Sequence, residues 1–179
     1  ASFAIASASG PSLRVVIFGG GPTPESNQVA IENNVKWMMS ILPEWSNSFV
    51  MFGDGTSTTE TVQISPVRTK AHRVLATFFG DGPTDVAKDT PIAYRPSSVT
   101  KIDASSKKSS IEAAFGQLEK ERSKDPVFLY FTGHGSRGRT GFDTNRYDLW
   151  REEGMTPAEL VTQLEKVKKG VPVTILMVQ

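Results

Sequence analysis

The sequence predicts an α/β fold, a three-layer α-β-α sandwich around a mainly parallel central sheet, and three observations predict it. Apolar runs bounded by turn residues alternate with segments of helical period from Ser12 to Gln179. The runs "LRVVIF" (Leu13–Phe18), "VFLYF" (Val127–Phe131) and "VPVTILMV" (Val171–Val178) carry almost no polar alternation, the pattern of strands buried on both faces. Strand, helix, strand, helix, strand, helix, strand is an order that crossover connections join in parallel.

The chain of 179 residues is long enough for one domain with a sizeable core. A net charge of +1 and 22% charged residues give no support for a nucleic-acid or membrane-surface partner. No apolar run approaches the roughly 18 residues of a membrane span. Cysteine is absent, which excludes disulfides and thiolate metal ligands within this chain. Residues 1–12, "ASFAIASASGPS", read as a flexible extension, and residues 13–179 as one domain. The Ala-x-Ala spacing of Ala4, Ala6 and Ala8 also fits a mature terminus left after export, so localisation stays open.

Each element has its own justification. Leu13–Phe18 ends in Gly19–Gly21, and the helix that follows places Ile31, Val35, Met38 and Leu42 on one face before Pro43 stops it. "SFVMFGDG" (Ser48–Gly55) reads as a second strand and turn. Residues 56–100, rich in Ser, Thr and Pro, read as an irregular insertion with one short helix near Ala71–Phe79. Ile111, Ala114, Phe115 and Leu118 stripe the next helix, with Ser109 or Ser110 as its cap. Thr156, Pro157 and Glu159 open the last helix, expected over Pro157–Lys169 with Gly170 as its stop. Its right-handed crossover lays the final strand beside Val127–Phe131.

The stretch "VFLYFTGHGSRG" places His134 between two glycines just past a buried strand, where open parallel sheets bind ligands. A titratable imidazole there is a candidate acid or base.

With "FLYFTGHGS", a crossover helix and "VPVTILMVQ" in order, the chain resembles the caspase–legumain superfamily of cysteine peptidases, and bacterial legumain-like and caspase-like members in particular. The resemblance covers Ser12 to Gln179 in element order and Val127 to Gln179 closely. It implies a caspase-like fold, of which this chain is the larger N-terminal part. It further implies a His–Cys dyad: His134 from this chain, and a cysteine expected directly after Gln179 or on a second chain. In that chemistry a thiolate attacks the peptide carbonyl and His134 protonates the leaving amine. The Gly135 backbone N–H joins the oxyanion hole. Asn27 matches the residue that orients the histidine, and Ser26, Gln28 and Ser136 fall where relatives bind substrate. Peptides or proteins are the implied substrates, with no cofactor and no metal.

Other readings stand beside it. "GGGPTPESN" fits the first two glycines of a dinucleotide fingerprint, Gly19 and Gly21, but Pro24 occupies the third position. A pseudoprotease or protein-binding module with the same fold needs no nucleophile. Arg137 and Arg139 read as exposed loop residues, His72 as a solvated or structural histidine, and Tyr147 and Trp150 as loop anchors. Asp143, Asp148, Glu152 and Glu153 lack the spacing of a calcium loop.

Overall fold

A computed structural model describes residues 12–44, 46–64, 92–121 and 123–178. The elements are β1 (Leu13–Gly20), α1 (Val29–Ile41), β2 (Ser46–Phe52), β3 (Glu60–Ile64), β4 (Ala93–Pro96), α2 (Lys108–Lys120), β5 (Val127–Gly133), β6 (Gly135–Ser136), β7 (Arg146–Asp148), β8 (Gly154–Met155), α3 (Pro157–Leu164) and β9 (Val173–Val178). The central sheet runs β2-β1-β5-β9, with every pairing parallel.

Period-two alternation divides the sheet between two cores. Val15, Ile17, Val50, Phe52 and Tyr130 meet Ile31, Val35 and Met38 of α1 on one face. Val16, Phe18, Met51, Leu129 and Phe131 meet Ile111, Ala114, Phe115 and Leu118 of α2 on the other, with Leu160 and Leu164 of α3 packed beside them. Helices therefore cover both faces. Phe18 and Phe131, register partners across β1 and β5, stack with centroids 4.1 Å apart.

The second strand starts two residues earlier than the sequence suggests, at Ser46, and ends at Phe52. Its outer edge is occupied by the Asp103–Ala104 segment: Asp103 N–H donates to the Val50 carbonyl at 2.8 Å, and Val50 N–H donates to the Asp103 carboxylate at 2.8 Å. The insertion expected to be irregular contains an antiparallel pair, β3 with β4. The helix expected at Ala71–Phe79, His72 and the extension before Ser12 lie outside the described residues, as does the Asp143 side chain. The loop after His134 is also more ordered than its composition implies, for β6, β7 and β8 form a three-stranded antiparallel sheet.

Two helix boundaries differ as well. Helix α2 has no serine cap: its N-cap is Lys107, and the Lys108 N–H donates to the Glu153 carboxylate at 2.8 Å. A remote carboxylate thus takes the place of a local hydroxyl at a helix N-terminus. Helix α3 has the expected capping box at Thr156 and Glu159 but ends at Leu164. Beyond it, Lys166 and Val167 N–H groups bond back three residues, to Gln163 and Leu164 carbonyls, and this tighter winding delivers Val167 to the core. The last strand pairs with β5 as the crossover requires; among the described residues it pairs on that side only, and Ile175, Leu176 and Met177 are 40%, 41% and 47% exposed.

Candidate functional site

The carboxyl ends of β1 and β5 lie side by side, with Gly20 in register with Gly133. A Cβ on Gly133 would stand 2.8 Å from the Gly20 carbonyl oxygen and 2.7 Å from the Tyr147 hydroxyl, so only glycine lets the two strand ends approach this closely. The chain leaves β5 there and presents His134, half-buried, to the β1–α1 loop.

Among the described residues the imidazole has one hydrogen-bond partner: Nε2 lies 2.9 Å from the Ser26 carbonyl oxygen. A carbonyl only accepts, so Nε2 carries the hydrogen, and in the neutral ring Nδ1 keeps the basic lone pair.

The loop holding that carbonyl is tied from within. Asn27 is fully buried; its Oδ1 accepts from the Gly21 N–H at 3.2 Å, and its Nδ2 donates to the Thr61 carbonyl at 3.1 Å. The Asn27 carbonyl accepts from the Gln63 N–H at 2.8 Å, binding the loop to β3. The orienting contact expected of the Asn27 side chain is made instead by the main chain of Ser26. Asn27 is turned into the loop because buried amide groups there need partners, and its side chain bonds Gly21 and Thr61 and not His134.

Gly135 is exposed, and its N–H has a fixed direction. The preceding His134 carbonyl accepts from the Asp148 N–H at 2.9 Å. Carbonyl and N–H point opposite ways across a trans peptide, and no described peptide is cis. The Gly135 N–H is therefore directed away from β7, available to an incoming oxygen.

The other expected site residues separate. Ser26 contributes its carbonyl. Gln28 is exposed on the rim and its backbone bridges to Gln63. Ser136 is turned to Asp148, its hydroxyl donating to the carboxylate at 2.7 Å. Tyr147 is the anchor its composition suggested: its hydroxyl, fully buried, lies 3.1 Å from the Phe18 carbonyl and 3.0 Å from that of Thr132. Burial, then the nearby Tyr130 and Asp148, push its ionisation far above the usual phenol range.

The glycine turn does not form a dinucleotide cradle. The Gly21 N–H is already taken by Asn27, and α1 starts only at Val29, after a 3₁₀ turn at Pro24–Ser26. Among the described residues, no group of three or more His, Cys, Asp or Glu converges on a metal position. The sequence left the Ser26 carbonyl unseen, since a main-chain acceptor carries no residue identity, and it offered Asp148 only as one of four loop carboxylates without calcium-loop spacing, not as a partner of Ser136. No family model, no curated protein and no solved structure matches the chain.

Proposed function

We propose that this chain is the histidine-bearing part of a cysteine endopeptidase with a caspase–legumain-like fold. The observation that carries the reading is His134 fixed on the Ser26 carbonyl, with the adjacent Gly135 N–H directed outward, at the carboxyl end of a central parallel strand. A base and an oxyanion donor side by side are what acyl transfer needs. The nucleophile is a cysteine carried by continuing sequence or by a second chain. Strand register supports the first route: Val127 pairs with Val173 and Thr132 with Val178, so the position two beyond Val178 comes level with His134.

In this mechanism Nδ1 of His134 takes the thiol proton, and the thiolate attacks the scissile carbonyl. The oxyanion is received by the Gly135 N–H. The imidazolium keeps its Nε2–H on Ser26 and returns the Nδ1 proton to the leaving amine, releasing the first product. Water, deprotonated by the same nitrogen, then hydrolyses the thioester.

The test uses the encoded protein with whatever sequence follows Gln179, incubated with a mixed peptide library and with iodoacetamide. The expected result is hydrolysis that is abolished both by His134→Ala and by alkylation of one cysteine. Peptide binding without hydrolysis would instead establish a binding module of the same fold, and the absence of any reactive cysteine would remove the peptidase reading.

A further inference from the structure

Asp148 grips the chain on both sides of the Gly135 residue. Its N–H donates to the His134 carbonyl at 2.9 Å, and its carboxylate accepts from the Ser136 hydroxyl at 2.7 Å. The second carboxylate oxygen accepts from Arg146 Nε at 3.2 Å, and the Asp148 side chain is only 10% exposed. A carboxylate so sheltered is costly unless donors surround it, and these two supply them. The neighbouring Tyr147 ties β7 to the ends of β1 and β5 through the Phe18 and Thr132 carbonyls, and its ring meets Phe131 edge-on at 5.4 Å. Asp148 is thus anchored to the sheet on one side and holds His134 and Ser136 on the other.

We infer that Asp148 is a positioning residue for the His134–Gly135 pair: its carboxylate, by holding the Ser136 hydroxyl, adds a second point to the main-chain bond on the His134 carbonyl, so that the imidazole meets Ser26 while the Gly135 N–H is directed away from β7. The role rests on the peptidase reading, but the geometry it asserts has its own readout. The main-chain N–H of residue 148 holds the His134 carbonyl whatever the side chain, and the carboxylate adds the second point through the Ser136 hydroxyl; that second point is what an Asp148 substitution removes.

The experiment is nitrogen-15 NMR of this chain, following the Gly135 amide and the His134 ring nitrogens, in Asp148→Ala, Asp148→Asn and Ser136→Ala. Asp148→Ala is expected to move the Gly135 amide resonance and to shift the His134 tautomer balance toward that of free histidine. Asp148→Asn keeps an acceptor for Ser136 and is expected to preserve most of both signals. Thr156→Ala, a cap variant distant in role, controls for lost stability and is expected to leave them unmoved. Unchanged signals in a folded Asp148→Ala would overturn the inference, as would equal changes in Thr156→Ala. Should Asp148→Ala fail to fold, Ser136→Ala decides: unchanged signals there reject the grip. In a peptide assay of the encoded protein, Asp148→Ala is expected to lower kcat on the order of 10²-fold with KM unchanged. A wild type without hydrolysis removes the peptidase reading, while the NMR result still decides the geometry.

Discussion

A Cβ added to Gly21 would stand 2.2 Å from the carbonyl oxygen of Ser26, the same oxygen that holds the His134 ring. The two contacts share one atom, so Gly21→Ala has to displace either its own backbone or the histidine's acceptor. The expected outcome is a folded protein destabilised by about 1–3 kcal/mol, the usual range for overpacking. The His134 Nε2 signal is expected to lose its hydrogen-bonded shift, and peptidase activity, if present in the wild type, to fall with it. Thermal melts and histidine NMR together check this; a variant with normal Tm and an unmoved histidine signal would refute the shared-atom account.

Tyr147→Phe isolates the anchor under the site. The ring and its contact with Phe131 remain, while the hydroxyl shared between the Phe18 and Thr132 carbonyls is lost. Net loss of a buried hydrogen bond costs about 1–2 kcal/mol. The pH dependence has a definite sign. Tyr147 ionises far above its unfolded value, so the stabilisation it gives is complete below about pH 10 and is lost as pH rises beyond that. Tyr130 is raised too, by burial, against a smaller opposing hydrogen bond with Thr132. Denaturant midpoints from pH 8 to 11 should therefore fall less steeply in Tyr147→Phe than in wild type, without becoming flat. Parallel curves would exclude Tyr147 as a contributor to the alkaline loss.

Glu32 predicts the acid side. It sits fully buried on α1 and receives two bonds from the Arg95 guanidinium, one from the Ser97 hydroxyl at 3.0 Å and one from the Ser98 N–H at 2.6 Å. Burial alone pushes this carboxyl up; the Arg95, Ser98 and Ser97 donors outweigh it and hold the group below its ordinary range. A lowered carboxylate gives stability that is complete above its unfolded value near pH 4.3, and that stability disappears as pH falls through the lower folded value. Glu32→Gln should cost about 3 kcal/mol at pH 7, because it strands a partly buried guanidinium. It should also flatten the Tm profile below pH 4.5, whereas a profile as steep as wild type would assign the acid loss to other carboxylates.

What the sequence disclosed, and what it hid, follows from where each energy term resides. Strands β1 and β5 were legible because a strand covered on both faces must be apolar at every position, as Val15 to Phe18 and Leu129 to Phe131 are. His134 was legible because the same run breaks on glycine. The pairing of Glu60–Ile64 with Ala93–Pro96 was not, since it joins short polar strands far apart in sequence. Glu32 gave no signal, because the donors that surround its buried carboxylate, Arg95, Ser97 and Ser98, lie more than 60 residues away. The Ser26 carbonyl left no trace at all, because any residue offers the same acceptor. β9 was legible as well, and among the described residues it pairs in parallel with β5 as its crossover requires.

The cap of α3 lets two terms at one helix end be ranked. Thr156 Oγ1 accepts from the Glu159 N–H at 3.3 Å, and the Glu159 carboxylate accepts from the Thr156 N–H at 2.7 Å. The same carboxylate receives Lys108 Nζ at 2.6 Å, linking α3 to α2. The Lys108 bond, then those from Thr156, hold Glu159 below the ordinary carboxylate range. The ion pair is the shorter contact, but its side chains are 45% and 44% exposed, so solvent screens it and its loss should cost under about 0.5 kcal/mol. The cap answers a backbone N–H that the helix cannot satisfy itself, and its loss should cost about 1 kcal/mol. Helix α3 has only eight residues, too few to form unaided, so that loss bears on the crossover that seats β9 against β5. Chemical denaturation of Thr156→Ala and Lys108→Met should rank them in that order at low salt, and raising the ionic strength should shrink only the Lys108 effect. The reverse ranking would mean that the α2–α3 ion pair, and not the capping box, holds this corner of the fold.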